Sequence, residues 1–318
     1  MSTQLDPAAP APRATPASQA PTGVAAERPR RGFDWTPYAF LAPYLLLFTL
    51  FTVVPAVYGL WISLHDWDFL LPVKPFIGGE NYATLFREGS GIGATFWQGM
   101  RATAQFTLYS VPPLLVLPLA VALVLNQRFP GRTFFRAVYF APYVLGVAVV
   151  GLLWRFLLDP STGVVNYLLG QAAIPWITAL PWAWISLVGM TVWWTLGFNA
   201  VIYLAGLQEI PRDLYEAASV DGAGRWAQFR SVTIPGLRRV LVFVTTVTVI
   251  ASANMFGQAF LTTQGAPGNQ TRTAIMAIAE EGFRSSRMGS AAAMSYVLSV
   301  FLIAVSAGIF WLFRRWED

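Results

Sequence analysis

Glu216-Ala217-Ala218-Ser219-Val220-Asp221-Gly222-Ala223, running on to Ile234-Pro235-Gly236, is a polar interruption between two long apolar runs. It reads as two short helices joined at an Asp-Gly turn. Pro211 suits a first helical turn, and Asp213 and Glu216 complement the positive end of a helix dipole. Leu214, Ala217 and Ala218 form a small apolar stripe at helical spacing. Gly222 supplies the left-handed backbone that a sharp reversal requires. Trp226, Phe229 and Val232 then recur every three residues until Pro235, which is expected to stop the second helix. On physical grounds alone, this loop suits either a docked partner or an amphipathic connector lying on lipid headgroups.

Around it the chain is strongly apolar. Of 318 residues, 55% are hydrophobic and 12% charged, with a mean hydropathy of +0.52. Too little charge is present to cover a soluble protein of this length, so the class is polytopic membrane protein. The absence of cysteine excludes disulfides and thiolate metal sites. Lys74, the only lysine, lies in Pro72-Val73-Lys74-Pro75, so the chain lacks a Gly-rich phosphate loop with its lysine. His65, the only histidine, leaves no material for a multi-histidine metal site. The net charge of +5 sits in alternate loops. That is a mark of membrane topology, not of a nucleic-acid surface.

Residues 1–34 form an Ala/Pro-rich stretch without an apolar core, read as a disordered cytoplasmic tail and not a signal peptide. Residues 35–318 read as one all-α membrane domain. Six apolar runs reach the roughly 20 residues that cross a bilayer: Tyr38–Leu64, Gly99–Leu125, Phe135–Leu158, Ala183–Leu207, Leu241–Thr263 and Ala291–Phe313. Each is expected to be helical, because backbone groups in hydrocarbon must be satisfied within their own segment. Pro43, Pro55, Pro112, Pro113 and Pro118 lie inside spans and are expected to kink them. With the N-terminus inside, the inner segments hold fourteen Arg and Lys and the outer loops five. Arg101 and Arg155 lie near the outer ends of spans, where they can snorkel. This charge bias places both termini and the Glu216 loop in the cytoplasm.

The segment from Asn199 through Pro211 to Glu216-Ala217-Ala218 and Asp221-Gly222-Ala223 resembles the EAA loop of ABC importer permeases, in the carbohydrate branch related to the maltose transporter. The loop covers about residues 208–237 and closes on Val232-Thr233-Ile234-Pro235, with Ile234 where the family pattern has Leu. Phe135–Pro142, Leu157–Leu169 and Leu261–Pro267 resemble further family segments, with Ala266 in place of a Gly and Ala102 in place of a frequent Asn. The resemblance implies the type I importer permease fold and a bacterial or archaeal inner-membrane location. It also implies a coupling role for Glu216, Ala217, Ala218, Asp221, Gly222, Ala223 and Pro235. The implied partners are a second homologous permease, two ATP-binding-cassette ATPase subunits and an extracytoplasmic solute-binding protein. ATP and Mg would be bound by the ATPases, leaving this chain without cofactor or catalytic residue.

No Asp or Glu falls within a span interior, which argues against an ion-coupled secondary transporter. Uncharged polar and aromatic groups do occur there. Trp193, Trp194, Asn199, Asn254, Gln258 and Tyr296 are the candidates for a solute pathway, with Asn254 and Gln258 four apart and so on one helical face. Amides and aromatic rings suit a neutral sugar or polyol. They serve equally to hold neighbouring helices together. An importer permease for a phosphorylated polyol and a non-transporting membrane scaffold remain as alternative readings.

Overall fold

The computed structural model describes residues 36–170 and 174–314. The tail expected at residues 1–34 lies outside them, as does Arg315. Internal contacts divide the chain into two units, one ending at Val53 and one starting at Val54. The first unit holds α1 (Thr36–Phe48) and a π-turn, Thr49–Val53. Its described side chains are all exposed, Phe40 and Phe51 included, as suits an apolar segment solvated by lipid.

The second unit opens with α2 (Val54–Ser63), α3 (Glu80–Phe86) and the 36-residue α4 (Gly91–Asn126). Next come α5 (Arg132–Val144), α6 (Val147–Leu157), α7 (Val164–Leu169) and α8 (Trp182–Glu209). The polar loop contributes α9 (Arg212–Val220), α10 (Arg225–Gln228) and α11 (Ile234–Gly236). α12 (Arg238–Ala253), α13 (Gly257–Leu261), α14 (Ala274–Ala279) and α15 (Met288–Arg314) complete it. Among the described residues there is no strand, only the isolated bridges His65–Phe76 and Asp68–Arg287.

Five helical runs are long and apolar enough to cross a membrane: Tyr38–Ser63, Gly91–Asn126, Trp182–Glu209, Arg238–Leu261 and Met288–Phe313. The pair α5–α6 supplies a sixth, bent by 95°. This is the expected all-α, six-span fold, with two spans less regular than expected. The third is not one continuous helix. Pro142 has no N–H to give in the last turn of α5, Leu145 and Gly146 are extended, and the Trp194 indole N–H donates to the Leu145 carbonyl at 3.0 Å. The fifth is interrupted between Asn254 and Phe256, where the Thr273 hydroxyl donates to the Met255 carbonyl at 2.8 Å. α4, by contrast, runs unbroken through Pro112, Pro113 and Pro118. Pro118 leaves the Leu114 carbonyl without its helical donor, and the Asn199 amide of α8 supplies one at 3.2 Å.

Lipid tails are as apolar as leucine, so close packing and buried hydrogen bonds hold such helices together. Gly197 shows how close they come. A Cβ placed there would lie 2.1 Å from the Tyr139 carbonyl oxygen, so α5 rests directly on the backbone of α8. Phe106, Val150, Leu187, Met190, Ala259 and Met276 are fully buried where α4, α6, α8, α13 and α14 meet.

The second unit has two distinct ends. One gathers Ala122, Leu125, Tyr203, Leu207, Ile210, Leu237 and Val244, and carries the 127–131 connection and the polar loop. The other gathers Leu85, Phe96, Met100, Ala274, Ala293 and Met294, and carries the 64–90 and 262–287 connections. Arginines cap helices at the first end: Arg136 donates to the Leu125 carbonyl at 3.3 Å and Arg238 to the Phe313 carbonyl at 3.1 Å. Positive charge there complements the negative ends of α4 and α15.

Candidate functional site

The polar loop is a built element, not a flexible connector. α9 ends in a Schellman motif: Gly222 at φ +80 donates to the Ser219 carbonyl at 3.1 Å, and Ala223 donates to the Ala218 carbonyl at 2.8 Å. Gln228 returns across the turn to the Ser219 hydroxyl at 2.8 Å and the Ala223 carbonyl at 3.0 Å. The Tyr215 and Thr233 hydroxyls meet at 3.0 Å. Tyr215 and Val232 pack onto the cluster of Leu207, Ile210 and Leu237, so the loop is joined to the ends of α4, α8 and α12.

The inward side of α9 is thus Tyr215 and Ala218, and the expected apolar stripe is only partly an inward one. Leu214, Glu216, Ala217 and Val220 are exposed, as are Asp221 and Gly222, while Ala223 is half-buried. Val220 and Trp226 are 88% and 73% exposed, so the loop presents apolar side chains beside its carboxylates. Among the described residues none forms an ion pair with Glu216.

Pro235 does not stop the helix, contrary to expectation. A π-turn, Phe229–Thr233, precedes it, in which the Ile234 N–H bonds to the Phe229 carbonyl. That wider turn carries the chain past the missing proline donor into α11 and on to α12. Pro235 itself is exposed.

The six candidate pathway residues fall in different settings. Asn199 is buried and bridges to the Leu114 carbonyl and the Thr248 hydroxyl, the latter at 3.4 Å. Trp194 holds the bend after α5. Tyr296 donates to the Ala56 carbonyl of α2. Asn254 donates to the Ile250 carbonyl of its own helix at 2.8 Å. Trp193 packs against Trp154 at 5.9 Å, and Gln258 is half-buried on α13. The shared face expected for Asn254 and Gln258 does not exist, because one caps α12 and the other lies beyond the break.

Two clefts open at the end opposite the polar loop. One of about 670 Å³ is lined by Phe256, Phe260, Gln264, Glu280, Phe283 and Arg284, with Phe256 and Phe260 stacked at 5.1 Å. The other, about 430 Å³, lies against the first half of α4 and the start of α8 and includes Gln98, Arg101, Gln105 and Trp184. Arg101 therefore has a place beyond the snorkelling expected of it. Its signal in the sequence was the spacing of 98, 101, 105 and 109, one face of a single helix.

With this geometry in place, comparison with known proteins is specific. Residues 104–318 match the family described as binding-protein-dependent transport system inner membrane component. The trehalose/maltose transport system permease protein MalF of Thermococcus litoralis is 32% identical over 285 residues, covering 87% of this chain and 94% of its own length. The sn-glycerol-3-phosphate transport system permease protein UgpA of Escherichia coli is 32% identical over 285 residues, covering 89% of this chain and 95% of its own. In fold, the chain is similar to a solved bacterial ABC transporter involved in the import of the acidic polysaccharide alginate. The TM-score is 0.76 at 24% identity, over 89% of this chain and 96% of that one. The EAA-type loop, the six spans and these relatives agree, and the chain belongs to the family of inner membrane components of binding-protein-dependent transport systems.

Proposed function

We propose that this chain is one of two membrane-spanning subunits of an ATP-binding-cassette importer for a carbohydrate or related polyol. The observation that carries this reading is the polar loop. Its exposed Glu216 and apolar neighbours stand on a base packed into the ends of α4, α8 and α12. A push on α9 is therefore passed to the helices that form the centre of the unit. The partners are a second permease, two ATPases that bind ATP and Mg, and an extracytoplasmic binding protein. Closure of the ATPases rocks the helices, and solute crosses by alternating access. The Arg and Lys bias supports a cytoplasmic position for the loop and both termini. Trehalose, maltose and glycerol 3-phosphate, the solutes in the relatives' names, are the first to try.

The test is Glu216→Lys in the assembled transporter, reconstituted with its binding protein and supplied with those three solutes. ATP-driven uptake should be lost while membrane insertion is retained. Uptake at the unmutated rate overturns the coupling role.

A further inference from the structure

Arg101 is the only Asp, Glu, Lys or Arg lying more than two residues inside the ends of the five membrane-length helical runs, the bent α5–α6 pair aside. Charged residues within spanning helices pair with other groups and mark solute and ion pathways. Among the described residues, however, no ion pair or hydrogen bond engages the Arg101 guanidinium. It opens instead onto the 430 Å³ cleft, which is within the size range of small-molecule sites.

The rest of the lining matches a sugar. Gln98 and Gln105 lie on the same face of α4 as Arg101, and Gln270 joins them from the 262–287 connection. Tyr109 and Trp184, edge to face at 6.0 Å, close one side with aromatic surface. Three amides offer donors and acceptors to hydroxyls, although Gln98 already gives one N–H to the Gly268 carbonyl at 3.4 Å, and the rings offer apolar faces to C–H groups. A guanidinium adds what a neutral sugar does not need: a fork that fits a carboxylate or phosphate in two parallel hydrogen bonds.

We propose that this cleft binds the anionic group of an acidic sugar, with Arg101 pairing to its carboxylate or phosphate and Gln98, Gln105 and Gln270 addressing its hydroxyls. The proposal rests on the carbohydrate reading above and narrows it to a sugar acid or sugar phosphate.

The test is titration of the assembled transporter in lipid nanodiscs, without binding protein, using D-glucuronate, D-glucose 6-phosphate and D-glucose as probes. Dissociation constants are read by saturation-transfer NMR. At least one anionic probe should bind at least tenfold more tightly than glucose, and the stronger of the two identifies carboxylate or phosphate as the natural group. Arg101→Gln should abolish that preference and leave glucose binding within twofold. Arg101→Lys, which keeps the charge without the fork, should retain part of it and guards against a folding defect in the first variant. Equal binding of all three probes by the unmutated complex overturns the proposal, and is the result expected if a neighbouring subunit's carboxylate neutralises Arg101. A preference that survives in Arg101→Gln overturns it as well. Failure of the complex to import any sugar would refute the carbohydrate reading, whereas the Arg101 titration is judged on binding alone.

Discussion

The Asn199 amide shows how one residue makes a proline tolerable within hydrocarbon. Pro118 frees the Leu114 carbonyl, and Asn199 supplies the donor from the adjacent helix. Interhelical hydrogen bonds in membranes average roughly 0.6 kcal/mol and reach about 1.7, and a carbonyl with no alternative donor belongs at the upper end. Asn199→Leu should therefore lower unfolding stability by about 1 to 2 kcal/mol without preventing insertion. Reversible unfolding in mild detergent measures it, and an unchanged midpoint would show that this bond carries no stability. Gly222 poses a backbone question instead. At φ +80, with open space for 4 Å around the point a Cβ would occupy, an alanine meets only the left-handed penalty of about 1–2 kcal/mol. Proline cannot reach that φ and loses the N–H given to Ser219. Gly222→Ala should keep partial ATP-driven uptake and Gly222→Pro none; equal uptake by both would deny the turn a mechanical role.

Among elements, the turn between α6 and α7 is ordered by one side chain. Asp159 Oδ1 accepts from the Thr162 N–H at 2.8 Å, the Ser161 hydroxyl at 2.7 Å, the Ser161 N–H at 2.9 Å and the Thr162 hydroxyl at 3.0 Å. These donors, led by the Thr162 backbone, hold its carboxyl well below the ordinary carboxylate range. A depressed folded value means that the turn's stabilisation is complete above the unfolded pKa of about 3.9 and is lost as pH falls through the folded value. Amide exchange at Ser161 and Thr162 should thus be protected from neutral pH down to about 4. Asp159→Ala should remove that protection at every pH, and persistent protection would mean that the turn is held by other contacts. Elements also mark the limit of what sequence shows. The bend after α5 has local signals in Pro142 and Gly146, yet an apolar run of span length masked them. The break at Asn254–Phe256 has no comparable local signal: its carbonyl is satisfied by Thr273, eighteen residues away.

At the scale of the whole molecule, the proposed sidedness is testable at the two ends of the second unit. The absence of cysteine makes single introduced thiols readable. Ala227→Cys lies exposed on the polar loop and Ser285→Cys exposed at the opposite end. A membrane-impermeant maleimide should label Ser285→Cys in intact cells and Ala227→Cys only after permeabilisation; the reverse pattern would invert the topology. Six apolar runs and the Glu216–Pro235 segment determined the class, the span count and the position of the polar loop along the chain. Those depend on transfer of residues between water and lipid and on local turn chemistry, both properties of neighbours in sequence. Only the tertiary structure decided which polar side chains hold helices and which face a cleft. Asn199, Trp194 and Tyr296 are tied to carbonyls on other elements, whereas Arg101 is joined by Gln270 and Trp184. A hydrogen-bond partner in hydrocarbon comes from whichever helix packs alongside, and spacing along one chain segment does not contain that information.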